Sequence, residues 1–461
     1  MIVDQFHVCS QMQLDFADLS GDVNPQHVDP TAARRLMFGK PVVHGVHSLM
    51  QILEIIAKQQ PKLALLSSLR VSFDEPVGIG DSLRLEAETK GYQVKFVLLR
   101  GAQRAARGRL DFSDAAPHRH LAAPVEIGEC RNLGEDELER RSGALLLGAD
   151  PTLLAKIFPT LATGFDLGQV ALLLATTRLV GMECPGLHSI YGGLKLHFAG
   201  PTASILNYRV STWSTTHRML QLALDCGGTS GAIDCFLRPP PVAQPTLSTV
   251  EQLVQPGEFA GHHLLVIGGS RGLGETAAKI GAAGGARVTL TYAKGTADGA
   301  RVAAEITDAG GQATALRYDV LAPDPFPAPN SPFTLLLYFA TPPIRPNRGP
   351  ALDAKLLADL VGVYAIGFLR TFEAVRPHLA TQATLCMPST IFIDESEHEF
   401  REYAAAKHAA EVLAAHLSMT GLRVICPRLP RLRTDQTSAL TDVGAADPLQ
   451  PMIKLMRACA G

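Results

Sequence analysis

Three consecutive prolines, Pro239, Pro240 and Pro241, interrupt the chain just past its midpoint. Proline fixes φ and carries no N–H, so a triple run fits neither a helix interior nor a central strand. The chain therefore has to fold as separate parts, and residues 239–260 read as a Pro-rich linker between them. A second irregular stretch, SDAAPHRHLAAPVEIGEC from Ser113 to Cys130, divides the part upstream. The 461 residues thus fall into segments 1–113, 130–238 and 261–461, in line with roughly 100–200 residues per domain.

The first two segments read as a degenerate repeat. Each holds a helical stretch, Gly45–Gln59 in one and Leu167–Val180 in the other, followed by runs that alternate or stay apolar. SLRVSFDEPVGIGDSLRLEAETKGYQVKFVLLR in the first parallels LHSIYGGLKLHFAGPTASILNYRVSTWSTTHRMLQLALD in the second. A helix followed by long antiparallel strands predicts a sheet wrapped around a central helix. The third segment has another rhythm. HHLLVIGG, a glycine-rich turn, a helix to Ala282 and ARVTLTYA come first, then TLLLYFA and ATLCMPS with helical stretches between. That β-α-β series predicts a parallel, doubly wound sheet.

Composition narrows the function classes. Lys and Arg number 42 against 44 Asp and Glu, so the net charge is 42 − 44 = −2. Such a chain has no basic field to attract a phosphate backbone, and nucleic acid is not an expected partner. The longest apolar runs, such as VALLLATTRLVG from Val170, fall short of the ~20 residues a membrane span needs. The N-terminus has no basic stretch followed by an apolar core, so it is no secretory signal. The eight cysteines are scattered, with no C-x-x-C and no nearby His pair. They predict reduced thiols in a cytoplasm and no metal site.

Chemistry concentrates in two places. In FADLSGDVNPQHVD, Phe16–Asp29, Asp22 and His27 lie five apart across a turn set by Pro25. An acid and an imidazole so placed can hold one water between them for general acid–base work. Ser20 and Asn24 are placed to orient the pair, although D-x-N-P alone also fits a plain turn that caps a helix. His44-Gly45 opens the first central helix. There the Gly45 N–H lacks an intrahelical partner and faces the positive helix end, which suits an acyl oxygen gaining charge.

SGDVNPQHVD, the Ala32–Gly39 segment, VVHG and the later FDEPVGIGDSLRLEAE together resemble the MaoC-like (R)-specific enoyl-thioester hydratases, across about residues 10–112. The resemblance implies a hot-dog fold, with Asp22 and His27 activating the water added to, or removed from, a 2-enoyl thioester. It implies that the amide of Gly45 is the oxyanion donor. Residues 130–238 resemble a second hot-dog copy without the signature, its helix opening on GFDLGQ. An α+β double hot-dog region is expected, its second half structural and with room for the acyl chain.

In the third segment Gly268, Ser270, Arg271, Gly272 and Gly274 form the turn between strand and helix. Glycines there let the backbone approach a pyrophosphate at the helix N-terminus. Arg271, and the lack of an acid closing ARVTLTYAK, favour the extra phosphate of NADP, with Lys294 assisting and Asp319 near the adenine. Tyr403 and Lys407 share a helix face at i and i+4, so the ammonium can lower the phenol's pKa towards neutrality. Ser389, fourteen residues earlier, offers a hydroxyl to polarise a carbonyl.

Glycine loop, strand-end serine and Y-x-x-x-K resemble the short-chain dehydrogenase/reductases of the 3-oxoacyl-thioester reductase type, across about residues 262–440. The resemblance implies a Rossmann-type sheet, Tyr403 as proton donor and Lys407 on the ribose. It places the substrate at Ser389. Four departures stand out: Ile267 for Thr, Phe339-Ala340-Thr341 for Asn-Ala-Gly, Tyr364 at the helical Asn position and Leu429-Pro430 for Pro-Gly. The Ser-to-Tyr spacing is one longer than usual, which leaves Thr390 as an alternative to Ser389.

The expected function is a bifunctional enzyme, presumed homo-oligomeric and free of membrane or nucleic-acid partners. It would reduce a 3-oxoacyl thioester of coenzyme A or acyl carrier protein with NADPH, then dehydrate the (R)-3-hydroxy product. Two alternatives accompany it: a hydratase carrying an impaired nucleotide-binding module, and a non-catalytic scaffold.

Overall fold

The computed structural model describes residues 1–322, 324–395, 397–440 and 443–461. The chain separates into two compact units, one built from residues 1–240 and the other principally from the residues beyond.

The first unit is an antiparallel sheet closed around helices. Its strands are β1 (Ile2–Phe6), β2 (Leu65–Phe73), β3 (Leu83–Lys90), β4 (Gln93–Arg100), β5 (Gln103–Ser113), β6 (Ser142–Leu146), β7 (Ser189–Ser214) and β8 (Met219–Leu237). They run in the order β1-β3-β4-β5-β2-β7-β6, with β8 paired to β7. Period-two patterning orients them: β3 buries Leu83, Leu85 and Ala87 and turns Arg84 and Glu88 to solvent. The buried face packs on helix α3 (Gly45–Gln59), which presents Val46, Leu49, Met50, Ile52, Leu53 and Ile56 to the core. Shorter helices precede it, among them α1 (Ser10–Ser20) and α2 (Pro25–Val28).

The second half adds helix α4 (Leu167–Arg178), which runs on into a π-helical turn over Leu179–Glu183. Pairing of β2 with β7, from Ser68↔His197 to Ser72↔Gly193, joins the halves into one sheet. Two long strands, β7 of 26 residues and β8 of 19, stand where the first half has four shorter ones. Their ladder shifts register between Phe198 and Thr202. There Gly200 and Gly228 cross so closely that a Cβ on Gly228 would meet Gly200 Cα at 2.6 Å. This is the double hot-dog architecture. No strand or helix occupies the stretch from Asp114 to Cys130.

The second unit is an α/β fold. Its strands are β9 (His263–Ile267), β10 (Arg287–Tyr292), β11 (Gln312–Arg317), β12 (Phe333–Tyr338), β13 (Leu379–Cys386) and β14 (Arg423–Ile425). They pair in parallel in the order β11-β10-β9-β12-β13-β14. All five residues of β9 are buried, as a parallel strand covered on both faces requires. Within the expected linker, helix α5 (Leu247–Glu251) buries Leu247 and Val250 in this unit's core. Helices α6 (Gly272–Ala283), α7 (Thr296–Asp308) and α8 (Arg401–Met419) cross over between strands, and the sheet carries an apolar core on each face. It is a Rossmann-type, doubly wound sheet. Among the described residues no helix is long and apolar enough to cross a membrane.

Candidate active sites

Asp22 follows α1, whose last turn ends at Gly21 in the left-handed conformation, φ 71°. The Ser20 hydroxyl donates to Phe16 O at 2.8 Å and accepts the Asp22 N–H at 3.2 Å. Asn24 caps α2 by accepting the Gln26 N–H, while its Nδ2 donates to the carbonyls of Gly181, Gly186 and Leu187. Pro25 at the first helical position completes the turn. The D-x-N-P motif is therefore a helix cap, and the same cap delivers the acid.

His27 stacks on His44 with ring centroids 3.8 Å apart, and the Asp22 carboxylate and a nitrogen of each imidazole lie within 4.8 Å of one another. His27 Nδ1–H donates to Val42 O at 2.7 Å, so the neutral ring keeps its lone pair on Nε2. Gln13 Nε2 donates to His44 Nδ1, which leaves His44 Nε2–H to donate to Asp22 O at 3.0 Å. A carboxylate with two imidazoles is also a metal-ligand set. Here both nitrogens of His44 are committed to hydrogen bonds, one with Gln13 and one with Asp22 O.

Burial pushes the Asp22 carboxyl up, opposed by the charge of His27 and by the hydrogen bond from Thr177. It pushes His27 down, opposed by Asp22. His44 lies well below the ordinary imidazole range, also through burial. Desolvation thus disfavours the charged forms of both imidazoles and of the acid. Gly45 opens α3 beside the Phe73 ring, where a Cβ would come within 3.0 Å of ring carbons. The motif reading placed His44 at the helix start but gave it no role of its own. It had no signal for Thr177, 155 residues from Asp22, nor for Arg238, a fully buried guanidinium that donates to Leu187 O.

In the second unit the carboxyl ends of β9, β10 and β11 bring the Gly268–Gly274 loop, exposed Lys294 and half-buried Asp319 to one edge of the sheet. Gly268 has φ 76°, and a Cβ on it would meet Ala340 N at 2.8 Å. A Cβ on Gly274 would come within 2.2 Å of Gly268 O. This is a bare backbone cradle that a pyrophosphate fits. Ser270 is buried in it. Arg271 pairs with Asp435 at 3.6 Å.

The Y-x-x-x-K pair is built differently from the expectation. The Lys407 ammonium donates to Pro388 O at 2.8 Å and lies 4.1 Å from the centroid of the Tyr364 ring. Burial lowers Lys407 to about 8 and raises Tyr403 to about 12. The lowered phenol pKa that the spacing suggested is absent: burial raises the phenol, and the ammonium lies over the Tyr364 ring. Alternation separates the two candidate hydroxyls: Thr390 faces Tyr403, whereas buried Ser389 faces Glu411. The hydroxyl beside Tyr403 is therefore that of Thr390 and not of Ser389.

Residues 3–104 match the MaoC-like domain family and residues 262–326 the short-chain dehydrogenase family. The chain is 33% identical over 94 residues to the peroxisomal multifunctional enzyme type 2 of Drosophila melanogaster, covering 20% of this chain and 15% of that protein. It is 36% identical over 74 residues to the (R)-specific enoyl-CoA hydratase of Aeromonas caviae, covering 16% of this chain and 55% of that protein. It thus spans well under two thirds of either relative. A dehydrogenase/reductase structure from Sinorhizobium meliloti 1021 aligns at 22% identity and TM-score 0.38, over 46% of this chain and 92% of that one. The chain joins a MaoC-like domain at its N-terminus to a short-chain dehydrogenase domain.

Proposed function

We propose that the chain is a bifunctional enzyme of acyl-thioester metabolism. Residues 1–113 form the catalytic hot-dog half, 130–238 its second copy, and 261–461 a nicotinamide-nucleotide-dependent reductase. The pairing of buried Asp22 with half-buried His27 carries the reading. In hydration, Asp22 and His27 take a proton from water as its oxygen bonds to C3 of a 2-enoyl thioester, and a proton is delivered to C2. The N–H of Gly45 holds the thioester oxygen while it is negative. Dehydration is the reverse, releasing water from an (R)-3-hydroxyacyl thioester of coenzyme A or a carrier protein. The named activity of the Aeromonas relative supports this half.

In the second unit NADPH, when bound, supplies a hydride to C3 of a 3-oxoacyl thioester. The backbone at Gly268, Gly272 and Gly274 would hold its pyrophosphate, with Ser270 in the same loop, Arg271 and Lys294 at the ribose phosphate and Asp319 near the adenine. Tyr403 supplies the proton to the new alkoxide, Thr390 orients the carbonyl and Lys407 meets the ribose. The free thiols of all eight cysteines suit a reducing compartment such as the cytoplasm. One observation favours a second reading, in which this unit binds nucleotide without turning over: Lys407 lies over the Tyr364 ring, and burial raises the Tyr403 phenol to about 12.

The test is direct. Purified full chain is expected to hydrate 2-enoyl-CoA, and Asp22→Asn or His27→Gln to lower kcat roughly 10²–10⁴-fold. Wild-type protein inert towards 2-enoyl thioesters would overturn the hydratase assignment. NADPH oxidation with 3-oxoacyl thioesters that Tyr403→Phe abolishes decides for the reductase. NADPH binding without oxidation decides for the second reading.

A further inference from the structure

The half that lacks the acid–imidazole signature reaches into the site from α4 and the π-helical turn after it. Thr176 and Thr177 are adjacent buried residues near the end of α4. Thr176 returns its hydroxyl to Leu173 O at 2.7 Å, the ordinary behaviour of a helical threonine. The Thr177 hydroxyl instead donates to Asp22 Oδ2 at 2.7 Å. Four residues on, Gly181 lies so close that a Cβ would come within 2.1 Å of Asp22 Oδ1, and its carbonyl accepts Asn24 Nδ2 at 2.9 Å. A π-helical turn adds a residue to the helical repeat, which lets helix and turn bracket one carboxylate.

We propose that Thr177 is a positioning residue for Asp22, fixing the rotation of its carboxylate and favouring its ionised form, so that the second half belongs to the hydration site. This inference rests on the hydratase reading above. A hydroxyl donated to a buried carboxylate is a charge-assisted bond, which holds the acceptor while it is ionised. The other groups facing Asp22 are His27 on α2, His44 at the head of α3, Cys130 between the halves and Arg178 on α4. Thr177 and His44 approach Oδ2, and the Asn24 N–H approaches Oδ1 at 3.3 Å. Without the Thr177 donor the carboxylate can turn about its χ2, and its proton affinity rises.

The experiment compares Thr177→Val and Thr177→Ser in the full chain, measuring 2-enoyl-CoA hydration across pH. Thr177→Val is expected to lower kcat about 10–100-fold, the range of one charge-assisted hydrogen bond. KM should change less than about threefold on the same argument, since the donor touches Asp22 and not the thioester. The acidic limb of kcat should move to higher pH, and Thr177→Ser should restore most of both. A valine variant with wild-type kcat and limb would overturn the proposal, as would valine and serine variants impaired alike.

Should the wild type hydrate nothing, the hydratase reading fails alone, and denaturation still decides the contact. At pH 7 the midpoint shift caused by Thr177→Val should shrink in an Asp22→Ala background, which removes the acceptor. An undiminished shift would overturn the proposal. If the valine variant does not fold, Thr177→Ala carries the same comparisons.

Discussion

His47 is a buried imidazole with a structural partner and no place in the proposed chemistry. It stacks on Phe16 at 4.3 Å, donates Nδ1–H to Gln13 Oε1, and buries Nε2 without a hydrogen-bond partner. Burial drives its pKa to about 3. The unfolded chain binds a proton at His47 near the ordinary value of 6.5, and the folded chain does not until about 3. The unfolded state therefore holds more protons throughout that window, and stability falls as pH drops from 6.5 towards 3. His44 acts in the same direction. The His47→Gln variant is expected to lose about 2 kcal/mol less stability than wild type between pH 7 and 5. Denaturant titrations at the two pH values check it; equal losses would show that His47 takes its proton while folded. The same desolvation disfavours the charged forms of His27 and His44, so acid sensitivity and catalytic readiness have one physical source.

At the scale of elements, the glycines that matter are those against which another backbone is packed. Gly274 in the first turn of α6 leaves no space for a methyl group above Gly268 O. Gly274→Ala must push α6 from the loop and spoil the amide cradle. It is expected to weaken NADPH binding at least about tenfold, near 1.4 kcal/mol, in a fluorescence titration; unchanged affinity would place the nucleotide elsewhere. This loop was legible because its function depends on neighbours in sequence. So were α3, whose bounds agree with its apolar pattern, and the cap that carries Asp22. The partners of these groups were not. Thr177 meets Asp22 only because β2 pairs with β7 and brings α4 alongside, and no local pattern encodes that distance. The expected Lys407–Tyr403 coupling fails for a similar reason. Its i,i+4 spacing is right, but a residue from another helix, Tyr364, offers the ammonium a ring face. Spacing fixes which groups can meet, and packing decides which do.

At the scale of the whole molecule, each unit closes a core of its own: one cluster in the first, and two around the parallel sheet of the second. Stabilisation by a ligand reaches only the cooperative unit that binds it. The chain holds a single tryptophan, Trp213, on β7 and packed against the core of the first unit. Tryptophan emission therefore follows the hot-dog unit alone, whereas far-ultraviolet circular dichroism follows both. With NADPH at about 100 times its Kd, the second unit should gain about 2.7 kcal/mol. In a urea titration the circular dichroism curve should then shift to higher denaturant in the part that Trp213 does not report, while the emission curve stays in place. A crotonyl-type thioester bound at Asp22 and His27 should do the converse. Should NADPH move the Trp213 transition by the same amount, the two units unfold as one, and the binding energy of the nucleotide is available to the hydratase site as well.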